Sequence, residues 1–170
     1  NNDNRYTVTL VPKKTFEMVD FYAEMPFTFK KGDKFFGACY QSWTKTKEWT
    51  ADEVMPGTIK LSNISEYTKD IARKTSDEWI INYSYIPGEF HSHCYTYIKS
   101  GDNIKLWGSL SEKTGYTIFK VKMNENKFYF CKDLVGKVVS EPLKIFDIVY
   151  FEGDYEEVFD KYFSMWKMPE

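Results

Sequence analysis

Residues 90–110 read FHSHCYTYIKSGDNIKLWGSL, and this stretch decides the fold. It holds two runs rich in aromatic and β-branched residues, 90–100 and 103–110, with the turn-forming pair Gly101-Asp102 between them. Two such runs on either side of a short turn are typical of a β-hairpin. The stretch therefore predicts two antiparallel strands joined by a tight turn.

Runs of the same kind recur on both sides of this hairpin. Further strands are predicted at 5–12, 15–29, 78–86, 116–123, 127–134 and 142–151, and a hairpin around Gly32-Asp33 within 30–36. Pro26 cannot donate a backbone hydrogen bond, so the second strand is predicted to lie at a sheet edge or to contain a bulge. Strands at hairpin spacing, in a chain with 19% aromatic residues, indicate a mainly β fold, an antiparallel two-sheet sandwich.

The region between these groups of strands has a different character. Thr50 and Glu53 have capping-box spacing for one helical turn, which Pro56-Gly57 would end. From there to about Thr75 the sequence is polar and lacks periodicity. We interpret this part as a long connection, and long connections in compact domains often carry function.

The C-terminal segment 154–166 predicts an amphipathic helix. Asp154 is a favourable N-cap, and Glu157 follows three residues later, as in a capping box. Aromatic and aliphatic residues then recur at helical spacing as far as Trp166. The length of 170 residues fits a single domain, and the aromatic face of the helix is expected to cover either the protein's own sheet or a following domain.

Charge and hydropathy exclude several classes of partner. The formal net charge is -2, from 23 basic and 25 acidic residues spread along the chain. This balance argues against binding to nucleic acid or to an anionic membrane. No run of about 18 apolar residues is present, so the sequence predicts no membrane span.

Three cysteines bear on the compartment. Cys39, Cys94 and Cys131 are far apart in the sequence and form no CxxC spacing of the kind used for zinc or redox chemistry. We expect reduced, partly buried thiols and hence a cytoplasmic protein, with a single disulfide plus one spare thiol as the alternative.

A search for catalytic groups finds little. His91 and His93 are two residues apart in a predicted strand and so face the same side, but no third ligand stands at a supporting spacing. We interpret the acidic residues as solvated surface carboxylates and not as the two carboxylates that flank the scissile bond in a glycosidase. We expect no catalytic residue, no metal site and no cofactor in this chain.

One cluster has the composition of a sugar site. Tyr40, Gln41, Ser42 and Trp43 follow one another at the end of a predicted strand. An indole ring offers a face on which a sugar can stack, and an amide both donates and accepts hydrogen bonds. The alternative is that Trp43 fills the core and Gln41 caps a loop.

Three blocks of the chain resemble one enzyme family. The segment 38–43, ACYQSW, resembles the Q-S-W strand end in the N-terminal β-sandwich domain of α-galactosidases of glycoside hydrolase family 36. The segment 91–121 is similar to the family stretch that contains G-S-L-x-E-x-x-G-Y-T-x-F, and 141–169 is similar to the strand and helix that lead into the catalytic barrel. Ala38, Cys39 and Tyr40 depart from the residues that many relatives carry.

The resemblance implies a role without catalysis. It implies a sandwich of the supersandwich type at the N-terminal side of a retaining α-galactosidase-like enzyme, whose two catalytic aspartates belong to a (β/α)8 barrel of the same polypeptide. No position in this chain matches those aspartates. The match to the family tryptophan at the rim of the galactose pocket is Trp43, with Gln41 and Tyr40 beside it as further substrate-binding candidates.

Three functions follow as hypotheses. The first is an accessory domain that adds an aromatic wall to the α-galactoside pocket of the adjoining barrel, with homo-oligomer contacts left open. The second is a free-standing carbohydrate-binding module. The third is a structural interaction domain with Trp43 enclosed in the fold.

Overall fold

The structure is a computed structural model that describes residues 4–39, 45–57, 65–76, 78 and 80–166. Two antiparallel sheets and a C-terminal helix confirm the predicted mainly β sandwich. The strands are β1 Arg5–Leu10, β2 Phe16–Pro26, β3 Lys34–Gly37, β4 Lys47–Thr50, β5 Glu89–His93, β6 Tyr95–Ser100, β7 Asn103–Ser109, β8 Tyr116–Lys122, β9 Lys127–Val139 and β10 Leu143–Gly153, and the helices are α1 Glu66–Thr75 and α2 Tyr155–Ser164.

The strands divide into a larger and a smaller sheet. The larger sheet has the order β1-β10-β7-β6-β3-β4 and the smaller sheet has the order β2-β9-β8-β5. The smaller sheet has β2 at its edge, where Pro26 was expected to place it, because proline lacks the donor that a central strand needs. The predicted hairpin forms as β6 and β7, with Ser100 opposite Asn103.

Alternating side chains of these strands build a core between the sheets. Trp107, 4% exposed, points from β7 towards the smaller sheet, and its ring meets Phe128 edge-on at a centroid distance of 4.8 Å. Leu106 points to the opposite side of the larger sheet and belongs to a second apolar cluster. The larger sheet is therefore apolar on both faces.

Helix α2 covers that second face. Val158 and Tyr162 are buried against the larger sheet, and the Tyr162 hydroxyl donates to the Ser109 carbonyl at 3.1 Å. A Cβ at Gly108 would overlap the Tyr162 ring, so this position requires glycine. The predicted cap is confirmed in part: Asp154 accepts from the Glu156 amide at 3.0 Å, whereas Glu157 pairs with Lys161.

Several predicted strand boundaries are wrong. The turn at Gly32-Asp33 connects β2 of the smaller sheet to β3 of the larger sheet and is not a hairpin. The predicted strand 90–100 is two strands in different sheets, because Cys94 takes a left-handed φ of 65° between β5 and β6. The described residues of the predicted strand 78–86 form none; they pack as an irregular segment on the outside of the smaller sheet.

The predicted long connection contains α1, which the sequence analysis missed. Ser65 caps this helix by accepting from the Thr68 amide at 3.3 Å, and Lys74 pairs with Asp70 one turn away. No residue of α1 is buried. Its larger apolar residues, Tyr67 and Ile71, are exposed, so the short helix has no apolar face that packs on the core.

Candidate functional site

The predicted sugar cluster belongs to the connection between β3 and β4. Tyr40, Gln41 and Trp43 lie outside the described residues, so their role as a site stays a prediction. Ala38, which precedes them, is hydrogen-bonded to β5. The Ala38 amide donates to Ser92 Oγ at 2.8 Å, and the His93 amide donates to the Ala38 carbonyl at 2.8 Å. The start of this connection is thus fastened to the end of β5.

A row of side chains on β5 leads away from that point along the outer face of the smaller sheet. Glu89, His91 and His93 alternate with the inward-facing Phe90 and Ser92, as the pleat of a strand requires. The His91 and His93 rings meet edge-to-face at a centroid distance of 5.6 Å. The expectation that both histidines share one face is therefore confirmed.

The other end of this row lines a cleft of about 240 Å³. Tyr22 of β2, Tyr129 of β9 and Tyr83 of the irregular segment contribute aromatic rings to its lining. The Tyr83 ring stands edge-on to His91 at a centroid distance of 5.0 Å. Three phenol groups from separate parts of the chain thus border one depression.

Charged groups complete the cleft. Glu89 Oε1 lies 3.1 Å from Lys122 Nζ, and this carboxylate raises the pKa of the lysine. Lys120 Nζ lies over the Tyr22 ring, 5.2 Å from its centroid. Aromatic faces beside paired donors and acceptors are suited to a ligand with apolar C–H faces and polar edges.

Both histidines are buried, and His91 belongs to the lining of the cleft. His91 is 4% exposed and His93 is 5% exposed. Among the residues that the structure describes, no group of three or more His, Cys, Asp or Glu side chains is arranged to hold a metal ion.

The thiol nearest to this row, Cys94, is partly buried beside a carboxylate. Cys94 Sγ donates to Glu112 Oε2 at 3.6 Å. Burial and the Glu112 carboxylate raise the pKa of the Cys94 thiol to about 12. A thiol that stays protonated does not attack a substrate. Cys39, Cys94 and Cys131 are all free thiols.

A buried lysine nearby was missed by the sequence analysis. Lys132 is fully enclosed, and its ammonium donates to Thr117 Oγ1 at 2.7 Å and to the Ser111 carbonyl and Oγ at 2.9 and 3.2 Å. Burial lowers its pKa. All three protons have acceptors inside the fold, which makes Lys132 a structural group. Its inward position on β9, in step with Phe130 and Leu134, was the available signal.

The carboxylates near the β3–β4 pair are held by lysines. Glu53 accepts from Lys47 at 2.5 Å and from the Thr50 amide at 2.9 Å, which is half of the predicted capping box, although the segment forms a turn and not a helix. Glu48 lies 3.4 Å from Lys34 and accepts from the Tyr97 hydroxyl. Their contacts are those of surface ion pairs.

The end of α2 lies close to the start of the β3–β4 connection. Tyr95, the first residue of β6, packs against Phe159 and Tyr162 at centroid distances of 5.7 and 6.0 Å. Tyr162 in turn contacts Trp166, and Tyr95 is two residues from His93, which binds Ala38. One end of the sandwich therefore carries both Ala38, the first residue after β3, and the C-terminal end of α2.

Comparison with known proteins assigns no relative. No protein-family model matches the chain, and no curated protein matches it significantly in sequence. Neither helix in the described part of the chain has the length and apolar character needed to cross a membrane.

Proposed function

We propose that the chain is a non-catalytic, carbohydrate-binding β-sandwich domain of an α-galactosidase-like hydrolase. The observation that carries the proposal is the tyrosine-lined cleft at one end of β5, while the other end of β5 is hydrogen-bonded to Ala38.

The chemistry of the cleft favours a neutral sugar. The phenol rings of Tyr22, Tyr83 and Tyr129 offer apolar faces and hydroxyl groups, and the Glu89–Lys122 pair offers an acceptor beside donors. This carboxylate offsets the Lys122 ammonium, and the second ammonium of the lining, Lys120, lies over the Tyr22 ring.

The position of α2 supports the proposal of a catalytic barrel at the end of the sandwich where Ala38 lies. Its last described turn lies near the start of the Q-S-W segment, through the contacts of Tyr95 with Tyr162. A barrel joined after α2 would lie at the end of the sandwich that carries Ala38, and the family resemblance implies that Trp43 lies at the rim of the pocket of such a barrel. Phe163 of α2 is 54% exposed and Trp166, which follows the helix, is 42% exposed, and both offer that barrel an apolar surface.

Hydrolysis tests the assignment. A polypeptide that carries this domain together with its barrel is expected to hydrolyse nitrophenyl α-galactoside, whereas residues 1–170 alone are expected not to. In the longer protein, Trp43→Ala should raise KM or lower kcat, and Tyr67→Ala, on the exposed helix α1, serves as the matched control. An unchanged kcat/KM in Trp43→Ala would remove the role of this ring.

A free-standing carbohydrate-binding module is the second candidate, because the described residues form the cleft without help from another domain. The two candidates differ in one observable result. Sugar binding by the chain in a natural protein without any glycosidase activity would favour the module over the enzyme domain.

A further inference from the structure

A second and more apolar cleft opens on the opposite side of the sandwich from β5. The strands β1 and β2 are edge strands of the two sheets, and no strand pairing joins them. Between them lies a cavity of about 390 Å³. Its volume falls within the range of about 300–1,000 Å³ that is usual for small-molecule sites.

The interior of this apolar cleft is aromatic and aliphatic. Trp107 and Phe130 line its inner part, and Ala23 and Met25 of β2 form one wall. Phe27 meets Trp107 edge-on at a centroid distance of 5.5 Å. Apart from the indole N–H of Trp107, these groups offer dispersion contacts and no hydrogen-bonding atoms, which suits a hydrocarbon chain better than a sugar.

One residue that lines the apolar cleft, Lys105, is positively charged. Lys105 lies two residues before Trp107 on the same face of β7, and its side chain is 34% exposed. Its ammonium lies 5.7 Å from the centroid of the Phe27 ring. A ligand with a hydrocarbon chain in the cleft would place its polar end near this ammonium.

The nearest carboxylate leaves Lys105 available for such a ligand. Glu152 accepts from the Tyr150 hydroxyl at 2.7 Å and from Asn103 Nδ2 at 3.0 Å, whereas Lys105 Nζ is 3.9 Å away. The carboxylate thus has its shorter hydrogen bonds elsewhere. An ion pair at 3.9 Å on a partly exposed surface is weak, so a ligand carboxylate can compete for the ammonium.

We propose that this cleft binds an amphipathic carboxylate, of the medium-chain fatty acid class, with its hydrocarbon chain against Trp107 and its carboxylate at Lys105. The site lies apart from the proposed sugar surface and shares none of its lining residues. Its binding is therefore independent of the proposed function.

Calorimetric titration tests the proposal with decanoate and decyltrimethylammonium below their micelle concentrations and with 1-decanol below its solubility limit. The chain should bind decanoate more tightly than the other two. Lys105→Gln should weaken decanoate binding by about three- to fivefold, as expected for a partly exposed ion pair, and leave 1-decanol unchanged. Lys137→Gln, an exposed lysine that does not line the cleft, is the matched control.

Ala23→Leu tests the location by filling the cleft, and should weaken decanoate and 1-decanol alike by about tenfold or more. Lys105 is partly exposed, so Lys105→Gln keeps the core intact and remains informative if Ala23→Leu does not fold. Equal affinity for all three head groups, or a Lys105→Gln protein that binds decanoate like the original, would overturn the carboxylate assignment. Absence of decanoate binding would overturn the site.

Discussion

Arg5 holds Asp147 with two hydrogen bonds, from Nε at 2.6 Å and from a terminal nitrogen at 2.7 Å. This pair fastens the edge strand β1 to its only neighbour in the larger sheet, β10. Lys144 adds a third contact to the same carboxylate at 3.1 Å. The Asp147 side chain is 4% exposed. Its hydrogen bonds to these partners replace the hydration that the carboxylate loses on burial.

The first prediction concerns acid stability. The hydrogen bonds from Arg5 lower the pKa of Asp147 to about 2, from an ordinary value of 3.8. A carboxyl whose folded pKa is lowered contributes stability above its unfolded pKa and loses it as the pH falls towards the folded pKa. The chain should therefore lose stability between about pH 4 and pH 2 through this group.

Urea unfolding at a series of pH values measures this loss. Asp147→Asn should lower the free energy of unfolding by about 2 kcal/mol at pH 7. It should also flatten the dependence of that free energy on pH between about pH 4 and pH 2. Arg5 is 37% exposed, so solvent screens the pair and limits its contribution. Asp160→Asn, on the exposed face of α2, is the control. An unchanged acid slope in Asp147→Asn would contradict the prediction.

The second prediction concerns the buried lysine. Lys132→Ala removes an ammonium with three acceptors and leaves a cavity, and should lower the free energy of unfolding by about 3 kcal/mol. Lys132→Met restores most of the volume, and the Ser109 and Thr117 hydroxyls, 2.8 Å apart, can satisfy each other. Lys132→Met should therefore lower the free energy of unfolding by less than Lys132→Ala does, by about 1 kcal/mol. Equal costs of the two substitutions in urea unfolding would contradict the account.

The third prediction concerns the packing of α2 against the larger sheet. Gly108→Ala should lower the free energy of unfolding by about 2–3 kcal/mol, because the new methyl group displaces the Tyr162 ring. Tyr162→Phe is the milder companion and removes only the hydrogen bond to the Ser109 carbonyl, at a cost of about 1 kcal/mol. A Gly108→Ala protein as stable as the original would show that α2 does not pack as described.

The fourth prediction concerns thiol reactivity. Burial raises the pKa of both Cys94 and Cys131 to about 12. In the native protein at pH 8, iodoacetamide should label these two cysteines at least about 100-fold more slowly than in the urea-unfolded chain. A Cys39→Ser protein isolates the two slow thiols for mass spectrometry. Rapid native labelling of Cys131 would contradict its burial.

Much of the fold follows from local patterns in the sequence. The Gly101-Asp102 turn between two apolar runs predicts a strand pair and the proline in β2 predicts an edge strand, because each depends only on neighbouring residues. The split at Cys94 was not predictable, since nothing in its side chain requires a left-handed backbone. The segment 78–86 has the composition of a strand, but it packs outside the sheet, with Tyr85 at a φ of 55°.

The candidate site also has some features that were predictable from the sequence and others that were not. The shared face of His91 and His93 was predictable from their spacing. The cleft was not, because Tyr22, Tyr83 and Tyr129 are far apart in the sequence and meet only through the pairing of β2 with β9 and the packing of the irregular segment. Such long-range contacts leave no local pattern.

Calorimetric titration of residues 1–170 with melibiose tests the central claim, sugar binding at the tyrosine-lined cleft, most directly. We predict weak but measurable binding, which Tyr83→Ala should reduce by about tenfold through loss of an aromatic contact. Lys120→Gln provides a second cleft variant, and Tyr67→Ala on α1 should bind as the original does. No binding by the folded chain, or full binding by Tyr83→Ala, would contradict the claim.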